Sequence, residues 1–459
     1  MLSRTIIGIY KVFFVGLLLQ FFLQTFVTFS LGIDYPRMEY VRLRKEGIIA
    51  LLLVFVAGDI LFSRKWKQLI KPSFIGRFTL ALIVSIAGAY LIHTMILGEW
   101  LQTYIIAVKY DFLGFIILLA WFHASQRITP DDKHALLLRY GKVIQRTLVL
   151  ALIWYFVIAI KPGTLKLFGY DNFVFEGDVG QRPPAAYYTH INRWFPRNQF
   201  LFERPISRWF FLTAFRPIFF MLFLYKKPLR ETRWRRGVFG FNVLITFSRA
   251  ARGSRIIELI LMGRLLYARS LKKFVFTIIL PVLFGMGVIG YLGYEQIFAR
   301  DYSNNGHIDM IQQGLRMIAE QPLRWYGGAA AGPWSHREWW SAYNPENQFI
   351  QIIIEFGLIG FLGRFFLYVS LNVRWVLPFL KKNTAEDGFS DAQLLFAACS
   401  IGLIGLSASG MVLHSFSDRM SVYPFMLYMG IVLSALTHTV WTPWISVVEE
   451  DLRNDSKLV

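Results

Sequence analysis

A single cysteine, Cys399, stands in 459 residues, so the chain has no internal disulfide and no thiolate framework for a metal. Acid is also scarce, with 29 Asp and Glu against 49 Lys and Arg and a formal charge of +20. The sequence contains no Walker loop, no H-E-x-x-H zinc spacing and no G-x-S-x-G elbow, and so lacks the marks of those three chemistries. No low-complexity segment and no repeat of about 20 to 50 residues stands out. Long polar stretches are missing too: charged residues make up 17% of the chain, against 55% hydrophobic and 17% aromatic. That balance leaves no room for a separate soluble domain and marks a polytopic membrane protein.

The apolar residues fall in runs of about 15 to 25, near the length a helix needs to cross the hydrocarbon core. They lack the short alternation of an outer-membrane barrel. The expected architecture is all-α, a single membrane domain over 1–459 with about twelve transmembrane helices. The spans fall at 6–32, 48–62, 74–97, 102–122, 146–160, 209–225, 237–248, 254–268, 274–293, 348–373, 392–413 and 422–442. The first run is longer than a signal peptide's hydrophobic region and no A-x-A-like site follows it, so it counts as a span.

Basic loops collect on one side: "SRKWKQLIKPSFIGR" after span 2, "RITPDDKHALLLRYGKVIQR" after span 4, "YKKPLRETRWRR" after span 6 and "RSLKK" after span 8. Topology therefore accounts for the positive charge without a nucleic-acid partner. Both termini are expected in the cytoplasm, with the loops 161–208 and 294–347 on the opposite face. The second loop lies between spans 9 and 10. It carries "HIDMIQQGLRMIAEQP", where Ile308, Ile311, Leu315 and Ile318 share one helical face and Pro322 closes the pattern. This predicts an amphipathic helix against the bundle or the membrane surface.

Arginines on the outward side run against the positive-inside rule and need a local reason. "FSRAARGSRIIE" holds Arg249, Arg252 and Arg255 at spacings of three, with Gly253 among them and Glu258 three residues further on. Two readings fit: an ion pair with Glu258 that anchors two short helices, or guanidinium forks that hold phosphate oxygens at the membrane surface. Arg216 in "TAFRPIF" lies within span 6, where it either snorkels and pairs or reaches the same anion. A second constellation runs from Arg316 through Gly327, Gly328 and Gly332 to Glu346, Asn347 and Gln348 at the mouth of span 10. His307 and His336 share its loop as alternative bases. His414, Asp418 and Arg419 end span 11 as site residues or a polar rim. Glu346 is either a base or the cap of span 10.

The order of these elements carries a resemblance. A short span ending in "FSRA" precedes an Arg-bearing helix, then "PLRWYGG", then "ENQFIQIIIEFGLIGF". From about Phe241 to Leu362 the chain resembles the O-antigen ligase and polymerase family of bacterial envelopes. The resemblance implies a multi-pass protein of the bacterial inner membrane that acts on the periplasmic face. It implies glycosyl transfer from an undecaprenyl-diphosphate-linked glycan to a hydroxyl of a glycan or lipid A-core acceptor, among membrane lipids. The donor carries its own leaving group, so no cofactor and no metal is implied. Arg249 matches the family's first arginine and Arg316 its second. Where the ligases have His-Asn, this chain has Glu346-Asn347, which makes Glu346 the candidate base. Arg252, Arg255, Arg216, Asn347, Gln348 and His336 are candidate substrate-binding residues. The contrasting expectation is a multispan transporter or flippase of an anionic or lipid-linked substrate, which should show paired repeats.

Overall fold

The computed structural model describes residues 74–90, 108–161, 205–223, 249–266, 301–320, 330–332, 343–381, 391–416, 418–419 and 421–436, with scattered single residues elsewhere. These are α1 (Phe74–Tyr90), α2 (Leu113–Ser125), α3 (Pro130–Ile160), α4 (Pro205–Phe223), α5 (Arg249–Leu266), α6 (Asp301–Glu320), α7 (Gln348–Lys381) and α8 (Asp391–Gly410). The helix α9 (Ser421–Leu436) completes them. Among the described residues there is no strand, only an isolated bridge between Ala331 and Tyr343. Expected spans 1, 2, 7 and 9 and the loop 161–208 fall largely or wholly outside the described residues.

The bundle is apolar outside as well as in. Helix α1 exposes Leu80, Ile83 and Val84, and α7 exposes Leu362, Phe365 and Phe366, while Arg208, Glu258 and Arg364 are buried to 1% exposure or less. Such an arrangement suits helices surrounded by lipid, where the polar side chains turn inward. Helix α8 has a segment, Ala392–Gly410, long and apolar enough to cross a membrane. It packs extensively against α4 and α5. Small residues let the helices close up: a Cβ at Gly402 would collide with the Ala214 carbonyl, and one at Gly430 would lie 2.5 Å from the Leu118 carbonyl.

Hydrogen bonds between helix ends fix their directions. Ser421 Oγ donates to the Ser207 carbonyl at 2.8 Å, and Asn347 Nδ2 donates to the Met411 carbonyl at 2.7 Å. The heads of α4, α7 and α9 and the tail of α8 therefore share one end of the bundle. At the other end, Lys133 Nζ near the head of α3 reaches the Ser434 carbonyl in the last turn of α9, at 3.4 Å. A cation there meets the negative end of the helix.

Three segments differ from their sequence expectations. The basic stretch before span 5 is helical from Pro130, not from about 146. Thr129 caps it: its hydroxyl oxygen accepts from Asp132 N at 3.3 Å and its hydroxyl donates to Asp132 Oδ2 at 2.9 Å. Helix α5 begins at Arg249, so "RAARGSR" is helix instead of connection, and Gly253 lies exposed within it. Most consequential, span 10 is not one rod. Gly357, at φ 64° and ψ −175°, breaks α7 into a short first arm and a long second arm. Only glycine takes such a backbone readily. The chain folds sharply there, and the Phe349 and Phe361 ring centroids come within 6.3 Å although twelve residues separate them.

Candidate functional site

The break leaves Asn344 to Gln348 as a corner at the bundle end formed by the heads of α4, α7 and α9. Asn347 Oδ1 accepts from Phe349 N at 2.9 Å and Ile350 N at 3.1 Å, so Asn347 is the cap of α7 and Glu346 is not. Glu346 instead holds φ 48°, uncommon for a residue with a side chain. Its carboxylate is turned to His307 of α6, whose Nδ1 pairs with Glu346 Oε2, with both side chains about one-third exposed at 38% and 35%. On the other flank His414 Nε2 hydrogen-bonds to Asn344 Oδ1. Burial pushes the His414 imidazole down to about 4, against the pull of the nearby Glu346 charge, so this ring is neutral at pH 7.

Helix α6 reaches the corner through a small apolar patch. Ile311, Met317 and Ile318 pack on Ala331, Tyr343, Ile350 and Ile354. Of the four residues expected on its buried face, Ile308 and Leu315 are instead half exposed, at 51% and 52%. The stripe that docks runs through His307, Ile311, Gly314 and Ile318, rotated from the one expected. Gly314 makes room for the Tyr343 hydroxyl, which donates to the Met310 carbonyl. Burial raises that phenol to about 12, so it stays a donor. Gly332, at φ 87°, lies flat on the Gln351 amide and donates its N–H to the Tyr343 carbonyl at 2.8 Å.

Beneath the corner is a sealed polar network. Asp111, just ahead of α2, accepts from Arg364 Nη1 and, at 3.3 Å, from Gln348 Nε2. Arg364 also donates from Nε and Nη2 to the Tyr368 hydroxyl, each at 3.3 Å. Gln351 Nε2 donates to Glu355 Oε2 at 3.1 Å, which brings a second buried carboxyl group into the network.

The arginines form a second cluster. Arg216 of α4 pairs with Glu258 of α5 at 2.9 Å, at side-chain exposures of 10% and 1%, and its guanidinium lies 5.6 Å from the Trp209 ring centroid. Glu258 thus bonds across to another helix, and Arg255 is close enough that its charge acts on both groups. Arg249 and Arg252 lie on the first turn of α5, and their side chains are outside the described residues, as is His336. Arg316 is exposed on the polar side of α6, turned away from the face that carries His307. At the rim, Asp418 accepts from Ser421 Oγ and the Arg419 guanidinium lies 5.2 Å from the Tyr110 ring centroid. Among the described residues no group of three His, Cys, Asp or Glu is placed to hold a metal ion.

Residues 237–365 match the family model described as O-antigen ligase. This segment is O-antigen ligase-like. The family is one of bacterial membrane proteins, and its activity is of the membrane glycan ligase or polymerase type, a glycosyltransferase-like enzyme. No curated protein matches the chain. The ligase-like segment takes in α5, α6, the Glu346 corner and Arg364. Asp111, Arg216 and His414 lie outside it and complete its two clusters from α2, α4 and the tail of α8. Sequence reasoning passed over Asp111, Arg364 and Glu355, although each is a charge inside an apolar run, the signal that marks a functional or paired residue in a membrane helix.

Proposed function

We propose that the protein transfers or polymerises a glycan from an undecaprenyl-diphosphate-linked donor onto a glycan or lipid A-core hydroxyl, at the periplasmic face of the bacterial inner membrane. The observation that carries the reading is the partly exposed Glu346–His307 pair, held at one end of the bundle by a strained corner. The acceptor oxygen attacks the anomeric carbon while the bond from that carbon to the diphosphate oxygen breaks. The electron pair leaves with the diphosphate, and the acceptor proton passes to the Glu346 carboxylate. His307 holds that carboxylate through Nδ1. Such help is typically worth about 100- to 10,000-fold.

Negative charge gathers on the departing diphosphate, and the arginines of the ligase-like segment are suited to it. Arg249 is assigned to that charge, with Arg252 and Arg255 beside it, while Arg316, exposed on the side of α6 opposite His307, is assigned to drawing the anionic donor toward the site. Arg216 serves through its pairing with Glu258, and Asn347 and Gln348 through the corner they build. His336 contributes from the same loop. A single displacement inverts the anomeric centre, and a product of retained configuration rejects this mechanism. The topology expected from the basic loops is in keeping with the reading, since Arg249 and Glu346 would share one face with both termini in the cytoplasm.

Deleting the gene and resolving the surface polysaccharide on a gel tests the function. A lost polymerase leaves single-repeat product, whereas a lost ligase leaves no attached polymer and accumulates lipid-linked glycan. Unchanged polysaccharide refutes both. Arg249→Lys keeps the charge and loses the fork, so full activity at normal protein level removes its bidentate role.

A further inference from the structure

We propose that Asp111 is the positioning residue for the Glu346 corner. It is a carboxylate from outside the ligase-like segment that grips both arms of the broken helix α7. Its Oδ1 accepts from Gln348 at the head of the first arm and from Arg364 on the second. Those two residues are sixteen apart in sequence, and along an unbroken helix they would lie about 24 Å from each other. The fold at Gly357 brings them to one oxygen atom. Gln348 directly follows Asn347 and Glu346, so holding its amide fixes the first turn of α7. Through that turn it sets the cap and the direction in which Glu346 leaves the helix.

The grip is sealed. Gln348 is 0% exposed, Asp111 3% and Arg364 1%. In such surroundings a charge-assisted bond is strong and its loss leaves the partner uncompensated. Glu346 needs this support because φ 48° is not a conformation the residue keeps unaided. Asp111 touches no reactant. Its effect on the reaction passes through Gln348 and the corner.

The proposal rests on the reading of Glu346 as a reacting group, and its test has one arm that does not depend on transfer. His307→Cys and Glu346→Cys place two thiols across the corner, while the native Cys399 is buried and out of reach. Dibromobimane fluoresces once both of its arms have reacted, so bridging reports the distance directly. Bridging is expected in this background and is expected to fall about five-fold or more when Asp111→Ala or Gln348→Leu is added, since the corner is then free to swing. The Gln348→Leu variant keeps the Asp111–Arg364 pair and so folds even if Asp111→Ala does not. In the otherwise unsubstituted protein, Gln348→Leu is expected to lower kcat about 10- to 100-fold with the donor KM little changed.

Wild-type bridging in the Gln348→Leu background overturns the proposal, as does an absence of bridging in the parent pair. Unchanged kcat in Gln348→Leu overturns it too. If bridging responds as expected but the unsubstituted protein transfers no glycan, the transferase reading fails while the positioning stands.

Discussion

Glu258 and Glu346 are both carboxylates that face a cationic or basic partner, yet their side chains are 1% and 35% exposed. Glu258 is locked between α4, α5 and α8, in a site so close that a Cβ at Gly405 would collide with its oxygen. Glu346 sits on a strained corner beside an exposed imidazole. The same chemical group is made permanent in one place and available in the other. Depth decides which: a sealed ion pair cannot open without leaving a bare charge, whereas a partly exposed one can exchange its partner for a reactant.

Glu346→Gln breaks the available side of this contrast most directly. Turnover is expected to fall by about 100- to 10,000-fold with donor binding little affected, measured as kcat and KM on purified protein. His307→Gln should cost less, because an amide still donates to the carboxylate; the reverse order would make His307 the group that takes the proton. Glu258→Leu breaks the permanent side. It should destabilise the fold by about 3 to 5 kcal/mol, seen as a lowered Tm, because Arg216 is left buried without its counter-charge. Combining it with Arg216→Met should return most of that loss, and a double variant no better than the single one would mean the pair is not what the site depends on.

Gly405→Ala sharpens the comparison further, with an expected cost of about 1 to 3 kcal/mol from overpacking against Glu258. A further effect is on the acid limb. The folded pKa of His414 is pushed from 6.5 to about 4, so between these values the unfolded chain binds the extra proton. The contribution of His414 is complete above pH 6.5 and is lost as pH falls toward 4. Tm should decline across that window, and His414→Asn should flatten the decline.

Much of this arrangement was legible in the residues themselves. The spacing of Ile308, Ile311, Leu315 and Ile318 announced α6, though only Ile311 and Ile318 of the four face its packed side, and the run "ENQFIQ" marked the head of α7. The Thr-Pro-Asp-Asp start of α3 also carries a capping pattern, which the basic charge of the stretch masked. Two features were not accessible. The break at Gly357 lies inside an apolar run that satisfies every test for a single span, and only the packing of the two arms reveals it. The pairing of Glu258 with Arg216, instead of with its neighbour Arg255, depends on how α4 and α5 approach α8. No local spacing encodes that approach. The rotation of the buried stripe on α6 is similar: Gly314 has no side chain to count, yet its bareness is what admits Tyr343.

The contacts at Gly402 and Gly430 have a mechanical consequence. Where a helix lies so near its neighbour that a methyl group would strike the facing carbonyl, the two behave as meshed teeth, free neither to slide nor to rotate. The frame of α2, α4, α8 and α9 thus has no travel in it. On the proposed function, a donor entering the corner meets this frame on one side and α6 on the other, and α6 has the smaller packed surface. It is held there by a few aliphatic side chains and one phenol.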